Sequence, residues 1–73
     1  MSIFRLILNE KRDKFCFKVT YEKFIKAKNR DEAYGKSLKI ASTFGEPDRD
    51  MIFWSNGNNS TIWINSLEEI EIV

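Results

Sequence analysis

Residues 29–47 read NRDEAYGKSLKIASTFGEP, and this stretch decides the fold because it predicts one helix with both ends marked. Asn29 is a good N-cap residue, and Glu32 follows it three positions later, as in a capping box. Asp31 and Glu32 also place negative charge at the positive end of the helix dipole. The sequence therefore predicts a helix that begins directly after Asn29.

The far end of this helix is also marked, because Gly45 is expected at the C′ position and Pro47 lies just beyond it. Gly35 inside the helix costs roughly 0.5–1 kcal/mol relative to alanine, so either a close backbone contact or simple tolerance explains it. Small and apolar residues recur at helical spacing, which suits a helix lying flat on a sheet: Ala33, Ser37, Leu38, Ala41 and Phe44.

Two β segments are predicted before the helix. The first covers residues 3–8, and the polar block 9–14 predicts a hairpin turn into the second, residues 15–27. Lys23 on the apolar side and Phe24 on the polar side predict a bulge near Glu22 that shifts the register. In the first segment alternate residues share a face, with Phe4, Leu6 and Leu8 on one side and Ile3, Arg5 and Ile7 on the other.

Shorter strands are predicted after the helix, following a loop at residues 45–50. Residues 51–55 and 61–65 are rich in β-branched and aromatic side chains, and residues 56–60 join them as a hairpin. Residues 69–73 alternate again and predict a short edge strand, with residues 66–68 as the turn. The expected fold is α+β: an antiparallel sheet of four to five strands in the order β-β-α-β-β, with the helix packed on one face.

A chain of 73 residues predicts a single domain, residues 1–73, of marginal stability. The apolar run at residues 3–8 is interrupted by Arg5 and is too short for a signal peptide or a membrane span. We therefore expect a cytoplasmic protein that does not associate with membranes.

Residue patterns that carry catalysis or bind metals are missing from the sequence. Cys16 is the single cysteine and there is no histidine, so an intrachain disulfide, the usual zinc ligand sets and a histidine-activated nucleophile are all excluded. We interpret Cys16 as structural. The close carboxylate pairs, Asp48 with Asp50 and Glu69 with Glu71, are interpreted as solvated charges. The sequence predicts no enzyme, no metal and no cofactor.

The charges are distributed unevenly along a chain whose net charge is +1. Residues 1–39 hold eleven bases against five acids, which gives +6, and residues 40–73 hold one base against six acids, which gives −5. This split predicts a bipolar surface if the two halves stay apart in the fold, and a mixed surface if they interleave.

Aromatic residues make up 14% of the chain, which invites a binding interpretation. A sheet that one helix half covers leaves an apolar patch on its other face, and we interpret that patch as an interaction surface. Phe15, Phe17 and Tyr21 are assigned to the core beneath the helix. The candidate partner-binding residues are Trp54, Trp63, Phe24, Lys26 and Lys28.

The segment that starts at Tyr21, YEKFIKAKNRDEAYGKSLKIA, resembles a family of short bacterial and phage domains of unknown function. In that family a strand ends in an alanine–polar step, a helix start of the D/E-E-A-Y type follows, and a Trp-containing strand comes later. The resemblance extends over residues 21–65 and implies the β-β-α-β-β order. It implies no substrate, cofactor or catalytic residue, and Gly35 and the Asn-rich loop depart from the pattern.

We therefore expect a non-enzymatic protein-binding module. It would be a small accessory or inhibitor protein, such as a phage- or mobile-element-encoded anti-defence protein, that docks on a bacterial protein. The alternative is a nucleic-acid or nucleotide binder that uses sheet lysines and aromatic side chains.

A homodimer is a further expectation, because the domain is small and has an open apolar face and free strand edges. Face packing through Trp54 or Trp63 and edge pairing through residues 69–73 are both self-complementary, and the charges of Glu69 and Glu71 favour face packing. A monomer whose open face receives a foreign partner is the alternative.

Overall fold

The computed structural model describes residues 1–12, 17–57 and 59–72, which form one α-helix and one antiparallel sheet. The strands and the helix are β1 (Ser2–Arg12), β2 (Phe17–Ala27), α1 (Arg30–Ser42), β3 (Glu46–Pro47), β4 (Phe53–Asn56) and β5 (Ser60–Ile72). The five strands lie side by side in the order β2-β1-β5-β4-β3. The predicted α+β class is confirmed. The roles predicted for Phe15, for the side chain of Phe17 and for Cys16 lie outside what the structure describes, as does Val73.

β1 and β2 form a long hairpin with an unbroken register from Ser2 opposite Ala27 to Arg12 opposite Phe17. The bulge predicted near Glu22 is therefore wrong. Lys23 stays on the face of Ile25, where its long side chain remains exposed, and Phe24 lies on the opposite face, also exposed. The alternation is regular because an amphipathic lysine tolerates such a position.

The polar residues after Leu8 continue β1 rather than form the predicted turn. Their side chains find partners on β2, since Thr20 donates to Asn9 at 3.1 Å and the Tyr21 hydroxyl donates to Glu10 at 2.7 Å. β1 is also hydrogen-bonded to a strand on each side, so both edges of its backbone are satisfied.

Residues opposite each other in an antiparallel ladder share a face of the sheet. We call the face that carries Phe4, Leu6 and Leu8 the inner face, and the face that carries Ile3 and Ile7 the outer face. The inner-face residues belong to one buried apolar cluster that also contains helix residues: Phe4, Leu6, Leu8, Ile25, Ala27, Ala33, Ala41, Trp54, Ile62 and Leu67.

The start of α1 agrees with the prediction. Asn29 is the N-cap, and its side-chain oxygen accepts a hydrogen bond from the backbone N–H of Glu32 at 2.9 Å. The guanidinium of Arg30 donates to the carbonyl of Leu67 at 2.7 Å, which ties the first turn of the helix to β5.

The end of α1 differs from the prediction. The helix ends at Ser42 with Thr43 as its C-cap, so Gly45 is not the C′ residue, and it does not have a positive φ. Gly45 serves a different purpose, because a Cβ there would lie 2.6 Å from the backbone oxygen of Ser55. At Gly35 a Cβ would meet nothing within 4 Å, so no close backbone contact explains that glycine.

The segment between α1 and β4 is more ordered than the predicted loop. Glu46 and Pro47 form the edge strand β3, and β4 begins at Phe53 rather than at residue 51. The carboxylate of Asp48 accepts hydrogen bonds from the backbone N–H groups of Ile52 at 2.9 Å and Phe53 at 3.3 Å. Asp48 is therefore a turn-stabilising residue and not a merely solvated charge.

β5 is one continuous strand in the middle of the sheet. The turn predicted at residues 66–68 and the separate edge strand at residues 69–73 are therefore wrong. The second half of β5 pairs with the first half of β1, and this pairing places Leu67 opposite Leu6, where it is buried. The register shifts twice, at Asn65 and at Ile70, where β5 has one more residue than β1. These two bulges broke the alternation that the sequence analysis relied on.

Candidate functional site

The outer face of the sheet carries apolar side chains from four strands. Phe24 of β2 and Phe53 of β4 are 60% and 45% exposed. Ile3 and Ile7 of β1 and Trp63 of β5 are partly exposed between them. Large aromatic side chains left in solvent on one surface are a typical feature of protein-binding sites.

Trp63 and Phe53 form the aromatic centre at one end of this face. They are directly opposite each other in the β4–β5 ladder, and their rings pack edge to face with centroids 6.4 Å apart. Such a pair adds about 0.5–1.5 kcal/mol beyond burial, so the two rings hold each other in place. Phe53 is not among the five candidate partner-binding residues, and its pairing with Trp63 places it at this site.

Trp54 lies on the inner face, directly opposite Ile62 and only 1% exposed. Its indole N–H donates to the hydroxyl of Ser42 on α1 at 3.1 Å, so the polar atom of this buried ring is satisfied. Of the two tryptophans, Trp63 alone is placed where a partner could contact it.

The other three predicted candidates lie around β2. Phe24 and Lys26 are on the outer face, exposed, opposite Arg5 and Ile3 respectively. Lys28 is exposed in the bend between β2 and α1, so it lies beside the outer face rather than on it.

Apart from Glu22 on β2, charge on the outer face is sorted from one side to the other. Lys26 and Lys18 lie on β2, whereas Glu71 lies on β5 and Glu46 on β3. Strand order explains this sorting, since β2 and β1 come from the basic half of the chain and β5, β4 and β3 from the acidic half.

The two halves meet at the boundary between β1 and β5. There Arg5 forms an ion pair with Glu68 at 3.0 Å, and both side chains remain largely exposed. An exposed pair of this kind contributes about 0–1 kcal/mol, so its main effect is to neutralise the centre of the face.

A shallow cavity lies beside the start of β4. It has a volume of about 210 Å³ and is lined by residues of both sheet faces and of α1: Tyr34, Met51, Ile52, Phe53, Trp54, Trp63 and Ile64. Sites for small ligands and cofactors usually measure roughly 300–1,000 Å³, so this cavity suits a single side chain of a partner better than a substrate. Met51 has a positive φ of 54°, a strained conformation that the Asp48 hydrogen bonds hold in place.

The strongest electrostatic feature is a buried carboxylate on the inner face. Glu10 is 6% exposed and accepts hydrogen bonds from Tyr21 at 2.7 Å and Arg12 at 3.4 Å. Burial alone would raise the pKa of Glu10, but the hydrogen bonds from Tyr21, Ser60 and Arg12 outweigh it and hold the pKa below its ordinary value. The hydrogen bond to Glu10 and burial raise the pKa of Tyr21.

Glu10 is thus held as a paired anion, which is the wrong protonation state for a general acid at neutral pH. Its partners on β2 and β5 suggest a structural role, fixing the distal end of the hairpin to the sheet. The sequence analysis missed this cluster, although Glu10 continues the even-numbered face of Phe4, Leu6 and Leu8.

Within residues 1–12, 17–57 and 59–72, no group of three or more Asp, Glu, Cys or His side chains is arranged to hold a metal ion. The single helix of that part of the chain is not long and apolar enough to cross a membrane. Comparisons with protein-family models, with curated proteins and with solved structures found no match. The resemblance to short bacterial and phage domains therefore stays a prediction.

Proposed function

We propose that this protein is a non-enzymatic protein-binding module that uses the outer face of its sheet. In this proposal α1 covers the inner face and leaves the outer face open. Supporting contacts are the hydrogen bond from Trp54 to Ser42, the ring contact between Tyr21 and Phe44 at 5.2 Å, and the burial of Ala33 and Ala41 with the inner-face residues.

The observation that carries the proposal is the exposure of aromatic side chains on a regular sheet. Phe24 and Phe53 together with Trp63 present three aromatic rings in a domain of only 73 residues. A small domain with a marginal core gains most by burying such rings, and aromatic residues are the ones that dominate binding energy at protein interfaces.

The expected partner is a bacterial protein, to which this chain would bind as an accessory or inhibitor protein. Docking would bury the Trp63–Phe53 pair, and an apolar side chain of the partner would enter the cavity beside Met51 and Ile52. These contacts need no catalytic group, metal or cofactor.

A nucleic-acid role receives less support from this surface. Lys18 and Lys26 are separated by Glu22 on the same strand, and Glu71 and Glu46 lie on the same face. These carboxylates repel phosphates, and single-strand binders need a continuous basic groove along their aromatic platform.

Site-specific photo-crosslinking in bacterial cells tests the proposal. A photoreactive residue at Ser55, which is exposed on the outer face beside Phe53, should give a crosslinked protein product. The matched control is Lys39, exposed on α1, where the same residue should give none. The proposal is contradicted if the photoreactive residue at Ser55 gives no crosslinked product, or if the residue at Lys39 gives an equally strong one.

Titration with single- and double-stranded oligonucleotides at low salt tests the alternative nucleic-acid role. Flat binding curves are expected. Binding that weakens steeply with salt and is lost on Lys26→Glu would replace the protein-binding role by the nucleic-acid role.

A further inference from the structure

We propose that, when no foreign partner is bound, the outer face binds a second copy of this chain, packed face to face about a two-fold axis that runs parallel to the strands. The inference rests on the protein-binding role proposed above. It is carried by the arrangement of charges on the outer face, which is self-complementary in one orientation.

Two rows of residues across the sheet define this arrangement. In the first, Lys26, Ile3 and Glu71 are opposite one another on β2, β1 and β5. In the second, Lys18 on β2 and Glu46 on β3 end a row that crosses all five strands through Lys11, Thr61 and Ser55. Both rows are basic at the β2 side and acidic at the opposite side.

Rotation by 180° about an axis parallel to the strands places the β2 side of one copy over the opposite side of the other copy. Each row of residues then faces the same row of the second copy. Lys26 of one copy then faces the Glu71 side of the other, and Lys18 faces the Glu46 side. With the axis between β1 and β5, each lysine is offset sideways by about one strand spacing, roughly 5 Å, from its opposite carboxylate on the facing sheet, which lies about 10 Å away. A lysine side chain is long enough to bridge that offset.

The other two-fold arrangement is excluded by the same charges. A two-fold axis in the plane of the face but perpendicular to the strands would place the β2 side of one copy over the β2 side of the other. The first row of one copy would then face the second row of the other. Lys26 would then face Lys18, since both lie on β2, and like charges juxtaposed across an interface are destabilising. Glu71 on β5 and Glu46 on β3 would remain two strands apart. The favoured orientation also keeps the strands of the two sheets nearly aligned, which is the common geometry of packed sheets.

The middle of the face is suited to burial in such a dimer. Arg5 and Glu68 already neutralise each other, and between them and the second row the outer-face positions of β1 and β5 are uncharged: Ile7, Asn9, Ser66 and Trp63. Glu22 on β2, opposite Ile7, is the charged residue at the side of this region. Apolar groups would therefore lie near the axis and charged groups at the rim, as in ordinary protein interfaces.

The face is also large enough. Three strands of about eleven residues and the shorter β4 cover roughly 600 Å² in projection, the same order as the about 800 Å² per partner of a standard interface. The chain exposes 5143 Å², whereas a folded protein of 8.6 kDa is expected to expose about 4,700 Å². A dimer would bury the excess.

Edge pairing is the competing contact between copies, and the structure argues against it. From Ile64 to Ile72 no described strand pairs with the β5 edge that faces away from β1. However, the Leu67 carbonyl already accepts a hydrogen bond from Arg30, and the bulges at Asn65 and Ile70 interrupt the regular hydrogen-bonding pattern of this edge. Both features disfavour pairing with a strand of a second copy.

Sedimentation equilibrium of the purified chain at tens of micromolar tests the inference. The wild type should be a dimer. Lys26→Glu and Glu71→Lys should each raise the dimer dissociation constant by roughly tenfold, because each introduces two like-charge contacts. The double variant Lys26→Glu/Glu71→Lys should recover the wild-type constant, and the control Lys39→Glu, exposed on α1, should leave it unchanged.

Circular dichroism of every variant checks that it remains folded. A monomeric wild type overturns the inference, and so does a double variant that stays dissociated or a single variant that dimerises normally. A monomer that still crosslinks to another protein at Ser55 in cells leaves the proposed function standing, because that experiment does not depend on self-association.

Discussion

Replacing Gly45 by alanine should destabilise the protein sharply. The added Cβ would lie 2.6 Å from the oxygen and 2.8 Å from the carbonyl carbon of Ser55, and 3.2 Å from the nitrogen of Asn56. All three atoms belong to the backbone of β4, so no flexible side chain can move aside to make room. The chain around Gly45 or the start of the β4–β5 hairpin has to shift instead.

The size of the effect follows from the geometry. Overpacking that forces backbone shifts costs about 1–3 kcal/mol, whereas the whole core of a domain of this size supplies roughly 3–5 kcal/mol. The shift would also stretch the hydrogen bond that the side-chain amide of Asn56 donates to the backbone carbonyl of Phe44, now 3.2 Å. We expect the melting temperature of Gly45→Ala to fall by about 5–20 °C.

Gly35→Ala is the matched control, because a Cβ at Gly35 meets nothing within 4 Å. Both substitutions reduce the entropy of the unfolded chain equally, so their difference isolates the clash. Gly35 is in the exposed interior of α1, where alanine should stabilise the protein by about 0.5–1 kcal/mol.

Thermal and urea unfolding followed by circular dichroism, at one fixed protein concentration, measures both effects. The reasoning is refuted if Gly45→Ala is as stable as the wild type, or if the two variants shift stability in the same direction. A crystal structure of Gly45→Ala should show β3 displaced from β4.

Two further predictions concern other contacts of the fold. The ionised Glu10 stabilises the protein above its ordinary pKa of 4.5, and this stabilisation is lost as pH falls through the lowered folded-state pKa. Glu10→Gln should therefore be less stable than wild type at neutral pH in urea unfolding, and the difference should shrink as the pH is lowered below 4.5; a constant difference would contradict the role of the charge. Asn29→Ala should cost about 1 kcal/mol because it removes the cap acceptor, whereas Asn29→Asp should retain stability; equal losses would show that the cap bond contributes nothing.

The parts of the fold that depend on neighbouring residues were predictable from the sequence. The N-cap bond of Asn29 involves atoms only three residues apart, so the start of α1 followed from local chemistry. The shared face of Phe4, Leu6 and Leu8 followed in the same way from simple alternation.

The position of β5 was not predictable, because it depends on contacts between distant residues. In the sequence, Ser66 and the glutamates after Leu67 are typical of a turn. Only the pairing of Leu67 with Leu6, some sixty residues earlier in the chain, shows that this segment is a strand. The bulges at Asn65 and Ile70 also hide the alternation on which strand prediction relies.

The candidate surface was predictable only in part. Alternation places Trp54 and Trp63 on opposite faces once Phe53 is paired with Trp63, but it does not say which face meets the helix. Phe24 and Lys26 lie on the outer face because β2 keeps a regular alternation, whereas the bulge predicted near Glu22 would have shifted their register. Phe53 was not among the candidate site residues, and its pairing with Trp63 is what places it on the outer face.

The central place of β5 has a consequence for how the protein folds during synthesis. β1 and β2 can pair as soon as they emerge, and α1 is local, but Ile62 and Leu67 complete the apolar layer against Leu6 and Leu8. Until β5 has left the ribosome, the hairpin has an unpaired edge on β1 along its most apolar strand. We expect the core to close only after almost the whole chain has been made, and closure of so many distant contacts to be slow relative to the formation of the hairpin and the helix.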